Sequence, residues 1–250
     1  ESLQNPTLGL CALRDWIMML SPAVGQRETA SGQANAVTGS LVQGWEAFAE
    51  EASPGAVQVV QRVQRDLRPL LRALARAPRT LLHGDYKFGN LGTWRPTPPD
   101  SASELHARND TPRERTKAED GALRQAQDAD ATPPPPVEPR TLMLDWGLAG
   151  FGAPLLDLAW FLAVNSARLP VSKEDAIEMY HESLASFGYP YQPHAWARDL
   201  DVALLAGGVL RLGWAKALGA RADDPAVRER ESAEVRWWSE CAARAGRWLA

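Results

Sequence analysis

Apolar positions recur along most of this chain with a helical period, and the places where that period fails divide it. Leu8 to Leu20 is an apolar run that predicts a helix, stopped by Ser21-Pro22. Residues 23–40 are rich in Gly, Ala, Ser and Thr and predict a flexible loop. Leu41, Trp45 and Phe48 fall at helical steps, which predicts a short amphipathic helix ending before Ser53-Pro54-Gly55. Val57, Val60, Val63, Leu67, Leu70, Leu71 and Leu74 continue at three- and four-residue steps. They give a helix with one apolar face and an arginine-rich outer face, with a kink expected at Pro69 and an end at Pro78. Leu81-Leu82 then lead into a polar stretch.

The helical period is absent from the middle of the chain. Asn90-Leu91-Gly92-Thr93-Trp94 and Thr141-Leu142-Met143-Leu144 read as two short strands forming a hairpin. Residues 95–140 between them hold nine of the nineteen prolines, charges of both signs, and no Ile, Phe, Trp, Tyr or Met. Such a segment buries too little apolar surface to offset its ordering entropy, so it is expected to be disordered. As an insertion at a hairpin tip it is tolerable, because closure entropy grows only logarithmically with loop length. Beyond it the helical period returns. Pro154 to Arg168 is strongly apolar, and Ser172-Lys173-Glu174-Asp175 resembles a capping box at the start of a helix ending near Gly188. Residues 194–221 and 225–249 predict two further long helices. There is no internal repeat.

Composition narrows the class. At 250 residues the chain can bury one substantial core or two modest ones, 45% of it is apolar, and its formal charge is only −4. That balance, with no basic arm, gives no reason to expect nucleic acid as a partner. No apolar run approaches the length needed to span a bilayer, and Glu1-Ser2-Leu3-Gln4-Asn5-Pro6 lacks the regions of a signal peptide. Cys11 and Cys241 lie at opposite ends without metal-type spacing. The expectation is a soluble cytoplasmic protein without a membrane partner.

Two motifs carry chemistry. His83-Gly84-Asp85-Tyr86-Lys87-Phe88-Gly89-Asn90 places a carboxylate, a cation and a neutral oxygen donor within one short stretch. Leu144-Asp145-Trp146-Gly147 adds a second carboxylate after an apolar run. Phosphoryl transfer needs a carboxylate to orient a hydroxyl and hard oxygen ligands for Mg²⁺. Each residue also has a plain structural alternative: Asp85 and Asn90 as turn residues, Asp145 as a strand-end Asp bonded to backbone, and Lys87 as a solvated surface lysine. Gly150-Phe151-Gly152 lacks the Lys-Ser/Thr of a phosphate loop and reads as a connecting turn.

The order and spacing of the two motifs resemble the aminoglycoside phosphotransferase / choline kinase family, small-molecule relatives of the protein kinases. The resemblance runs from about residue 8 to the end and corresponds to the C-terminal lobe. It implies a mainly α fold of the α+β kind, helical with a small β-hairpin at the active site. Residues 1–80 show no Gly-rich hairpin and no V-A-x-K-like strand, so the N-terminal nucleotide lobe of the family is expected to be missing and the chain truncated. The resemblance assigns Asp85 the catalytic base, gives Asn90 and Asp145 to Mg²⁺ beside the phosphates of ATP, and lets Lys87 reach the γ-phosphate. His83 is implied as a loop brace, and Asp157 as the residue tying its helix back to the catalytic loop. Gly147 departs from the pattern, since many members carry an acid there.

The implied activity is an ATP-dependent small-molecule kinase, moving the γ-phosphate of ATP to the hydroxyl of a small acceptor. The acceptor would lie among the later helices, whose candidates are Glu178, Glu182, Asp199 and Asp201 with Trp196, Trp214, Trp237 and Trp238. The tryptophans recur among Leu, Ala and Val, which equally suits core packing. Asp199 and Asp201, two apart, do not share a helix face. A truncated or inactive kinase-like binding protein is the rival reading. A protein kinase fits less well, because His-Gly-Asp stands for His-Arg-Asp and no A-P-E segment follows Asp145.

Overall fold

The computed structural model describes residues 10–94, 139–189 and 191–249. The chain is mainly helical, with small sheets, and divides into two units: residues 1–90 with 145–250, and residues 91–144.

In the first unit, α1 (Leu13–Met18) is shorter than the apolar run suggested, because Cys11 is taken by a bridge to Gly150. Residues 23–40 are not a loop. Pro22 opens α2 (Pro22–Ala30), since proline fits a helix's first turn, where its missing N–H costs nothing. Gly25 lies in α2 for packing: a Cβ there would sit 2.8 Å from Leu41 Cβ and 2.9 Å from the Thr38 carbonyl. A short link through Gly32, at φ +71°, leads to α3 (Ala36–Glu51). Asn35 Oδ1 accepts from the Val37 and Thr38 amides, and Thr38 Oγ1 accepts from the Asn35 amide, a reciprocal cap.

The arginine-faced helix is two helices, α4 (Pro54–Arg65) and α5 (Arg68–Leu74). The break lies before Pro69, at Asp66, whose extended backbone (φ −141°, ψ 103°) ends α4. Asp66 Oδ1 accepts from the Arg68 amide, and Pro69 falls in the first turn of the new helix.

β1 (Thr80–Leu82) follows and pairs antiparallel with β4 (Gly150–Gly152), Leu81 opposite Phe151. Gly150-Phe151-Gly152 is therefore a strand, not a connecting turn. After it, α6 (Leu155–Asn165) is buried at nearly every position, as befits a helix apolar all round. Ser172 caps α7 (Lys173–Ser186) by accepting from the Asp175 amide at 3.0 Å, as its sequence predicted.

Pro193 to Gly219 is one continuous helical stretch made of α8 (Pro193–Ala203), a π-helical segment (Leu204–Val209) and α9 (Leu210–Gly219). Contrary to the expectation that no apolar run is long enough, it could cross a membrane by length and composition, but 72% of its most apolar window is buried inside the fold. All six π-segment residues are buried. The last helix, α10 (Pro225–Gly246), starts where Asp224 Oδ1 accepts from the Ala226 amide at 2.8 Å. Trp16, Ile17, Leu41, Phe48, Leu70, Leu155, Leu204 and Trp238 are among the residues of the core.

In the second unit, β2 (Leu91–Trp94) pairs antiparallel with β3 (Arg140–Met143), with Leu91 opposite Met143 and Trp94 opposite Arg140. That is the expected hairpin, with Arg140 in the ladder. Of residues 95–140, expected to be disordered, 95–138 lie outside the described residues and Arg140 stands in β3.

Candidate active site

β1 delivers the chain into the His83–Asn90 loop, and the loop's backbone dictates its sequence. Gly84 has φ +77°, a conformation that only glycine adopts without strain, and a Cβ there would lie 2.1 Å from the Leu148 carbonyl oxygen. Asp157, in the first turn of α6, accepts the His83 amide on Oδ2 at 2.7 Å and the Gly84 amide on Oδ1 at 2.9 Å. Burial pushes the Asp157 carboxyl above its usual range, against the opposing pull of those two donors. His83, almost wholly buried, accepts the Asp85 amide on Nδ1 at 3.2 Å. Both residues brace the loop, as the sequence implied.

Asp85 is the convergence point. Its Oδ1 accepts from Trp160 Nε1 at 3.0 Å, and its Oδ2 accepts from Lys87 Nζ at 2.5 Å and Asn90 Nδ2 at 3.0 Å. Asn90 also donates to the Asp85 carbonyl at 2.8 Å. The far end of the loop is held by Asn165, at the end of α6, whose Oδ1 accepts the Phe88 amide at 3.2 Å. Three of the four predicted site residues, Asp85, Lys87 and Asn90, are thus gathered into one hydrogen-bonded group.

Asp145 is placed differently. It is exposed, and its φ of +61° lies in the left-handed region, which is uncommon for a residue with a Cβ. Among the described residues no hydrogen bond joins it to Asp85, Lys87 or Asn90. Its neighbour Trp146 makes the link between motifs, with its ring 4.7 Å from that of His83. At Gly147 a Cβ would lie 3.4 Å from Asp145 Oδ1, an ordinary contact, so packing does not require glycine there.

The donor chemistry suits a hard cation. Asn90 turns its amide nitrogen to Asp85, which directs Oδ1 away from that carboxylate, and Asp145 offers an exposed carboxylate. These are oxygen donors of the kind Mg²⁺ takes, with phosphate and water completing the shell. Among the described residues no group of three or more His, Cys, Asp or Glu forms a metal cluster.

Residues behind the loop had not been singled out from the sequence. Trp16 Nε1 donates to the Gly84 carbonyl at 2.6 Å. Arg211, only 2% exposed, lies between Trp16 and Trp160, at 4.2 Å and 4.3 Å from their ring centres, and donates to the Trp16 carbonyl at 2.8 Å. Burial lowers this guanidinium to about 10, opposed by the Asp85, Cys11 and Asp157 charges. Trp160 carried a sequence signal, since it follows Asp157 by three positions and shares its helix face. Trp16 and Arg211 carried none, being joined only by tertiary folding.

The acceptor candidates do not form one pocket. Trp214 and Trp238 are core residues. Trp237 donates to Glu174 on α7, and Trp196 stacks on His181 at 4.1 Å. Glu178 and Glu182 are exposed. Asp201 accepts from Arg244, Arg247 and Trp248 at 3.0, 2.8 and 3.0 Å, a structural anchor for the C-terminal end of the chain. Asp199 instead pairs with Arg198 and lines a separate cavity, so the two aspartates do face different ways. Comparison with protein-family models, with curated proteins and with solved structures finds no match to this chain.

Proposed function

We propose that this chain is the C-terminal lobe of a protein-kinase-like phosphotransferase of the aminoglycoside phosphotransferase / choline kinase kind, moving the γ-phosphate of ATP to the hydroxyl of a small molecule. The observation that carries the reading is the hold on Asp85. Its side chain is 14% exposed, with one oxygen fixed by an indole and the other shared by an amide and an ammonium. A carboxylate so restrained can present one lone pair to an incoming hydroxyl in a fixed direction.

The acceptor oxygen, hydrogen-bonded to Asp85, attacks the γ-phosphorus as the bond to the ADP oxygen breaks, and its proton passes to the Asp85 carboxylate and then to solvent. Lys87 brings a cation beside the transferring group and can follow the phosphate, because its side chain is one-third exposed. Asn90 Oδ1 and Asp145 would hold Mg²⁺, which when bound supplies positive charge against the phosphate oxygens. Asp157, His83 and Trp160 touch no substrate and act by positioning the loop.

Calorimetric titration of ATP into the chain with and without Mg²⁺ tests this. Metal-dependent binding should be lost in Asp145→Ala and kept in Asp85→Asn, while phosphate transfer to a panel of aminoglycosides and amino alcohols should be lost in Asp85→Asn. Binding indifferent to Mg²⁺ and to Asp145→Ala would reject the assignment.

A further inference from the structure

A cavity of about 670 Å³ shares none of its lining residues with the Asp85 group. Its walls come from the approach to β1, from α7 and from α8, and include Arg76, Arg79, Tyr180, Leu184, Tyr191 and Asp199. The volume falls in the range that small-molecule sites occupy.

Two polar atoms there have no partner among the described residues. Asp199, its side chain 2% exposed, gives Oδ1 to Arg198 Nε at 2.7 Å, while its buried Oδ2 accepts nothing. The buried Tyr191 hydroxyl is likewise unpaired. Burial, reinforced by the Asp199 charge, pushes that phenol up to about 12, so it remains a donor as well as an acceptor. Buried polar atoms are nearly always satisfied by protein or ordered water, and both of these belong to residues that line the cavity.

The remaining chemistry sets what partner would suit them. The Asp199 charge is already answered by Arg198, so Oδ2 needs a hydrogen-bond donor more than a second cation. The cavity is also lined by tyrosine, leucine and proline side chains, which suit a flat apolar body. Arg76 and Arg79 are exposed and have no carboxylate partner among the described residues. They offer a place for an anion.

We propose that this cavity is a binding site for a small amphipathic anion, with a hydroxyl or amine donor directed at Asp199 and Tyr191, an apolar body between the tyrosines, and a carboxylate or phosphate on Arg76 and Arg79. The site is independent of the phosphotransfer reading.

The probe is 4-hydroxyphenylacetate, titrated into the full chain and followed by NMR, with phenylacetate and tyramine as comparators. The hydroxy acid should bind saturably. Phenylacetate, which lacks the donor, and tyramine, which lacks the anion, should each bind roughly tenfold more weakly, about one hydrogen bond or ion contact. Arg76→Ala/Arg79→Ala, both at exposed positions, should weaken the hydroxy acid by roughly tenfold or more and leave tyramine nearly unchanged. Tyr191→Phe should weaken the hydroxy acid relative to phenylacetate. Asp85→Asn should change none of these affinities. Absence of saturable binding by the hydroxy acid, equal binding of all three probes, indifference to the arginine double variant, or a loss in Asp85→Asn would each overturn the proposal.

Discussion

Trp160 donates its indole N–H to Asp85 Oδ1 at 3.0 Å, while its ring lies over the Arg211 guanidinium. The bond fixes the carboxylate's rotation from behind, and Lys87 and Asn90 meet the other oxygen from the front. Trp160→Phe keeps the ring and its stacking but removes the donor. A hydrogen bond to a charged group is worth about 1.5–3 kcal/mol. In the proposed transfer reaction, the variant should therefore lose roughly 10- to 100-fold in kcat, with little change in the KM for ATP. Steady-state kinetics together with a thermal melt check this. A fall in KM-dependent terms alone would place Trp160 outside the orientation of Asp85.

Gly84 should be the least replaceable residue of the loop. At φ +77° any side chain is strained, and the space its Cβ would need is taken by the Leu148 carbonyl oxygen, 2.1 Å away. That oxygen is backbone and cannot move aside as a flexible side chain would. Gly84→Ala should cost about 3 kcal/mol or more, combining left-handed strain with overpacking. Urea denaturation measures it, and a loss below about 1 kcal/mol would mean that the loop relaxes freely.

The sequence made the loop legible because its chemistry is local. Asp85, Lys87 and Asn90 lie within one short motif, and the structure gathers those same three side chains. Asp157 was legible only through the resemblance, and the hairpin from two β-type runs bounding a polar insertion. What was misread depended on packing. Residues 23–40 look like a loop because Gly and Ala are abundant, yet Gly25 is small so that α2 can approach α3. Gly150-Phe151-Gly152 looks like a turn, yet Gly150 is small because the Cys11 carbonyl lies where its Cβ would be, at 2.7 Å. In each case glycine signalled close approach rather than flexibility, and periodicity alone does not separate the two.

Asp157 gives the stability a pH dependence of known sign. Burial raises its carboxyl above the ordinary 3.8 in the folded chain, so the folded state retains a proton that the unfolded state releases. Between 3.8 and that raised value the unfolded chain binds fewer protons, and this contribution to stability falls as pH rises. Asp157→Asn cannot titrate. The variant should be less stable than the parent throughout, because Asn can accept from only one of the two amides well. The gap should nevertheless narrow as pH rises above 3.8, as the parent alone loses its low-pH contribution. Urea denaturation of both proteins across that range reads the difference. A gap that widens instead would show that the two amide donors outweigh burial.

Gly208 in the π-helical segment packs closely on Trp238, and that contact can be tested by compensation. Gly208 lies inside the segment, and a Cβ there would be 2.1 Å from Trp238 Cζ3 and 2.6 Å from Cη2. Trp238 cannot swing away, since it is 1% exposed and its Nε1 donates to Glu234 Oε2 at 3.0 Å. Gly208→Ala should therefore destabilise by about 3 kcal/mol, toward the upper end for overpacking. Trp238→Leu alone leaves a cavity and should cost about 3 kcal/mol by a different route. The double variant should cost clearly less than the sum, by about 1–2 kcal/mol, because the new methyl occupies part of the space the indole vacates. Strict additivity in the denaturation midpoints would mean that the helix shifts away from Trp238, and that the glycine serves the π turn's backbone rather than the ring.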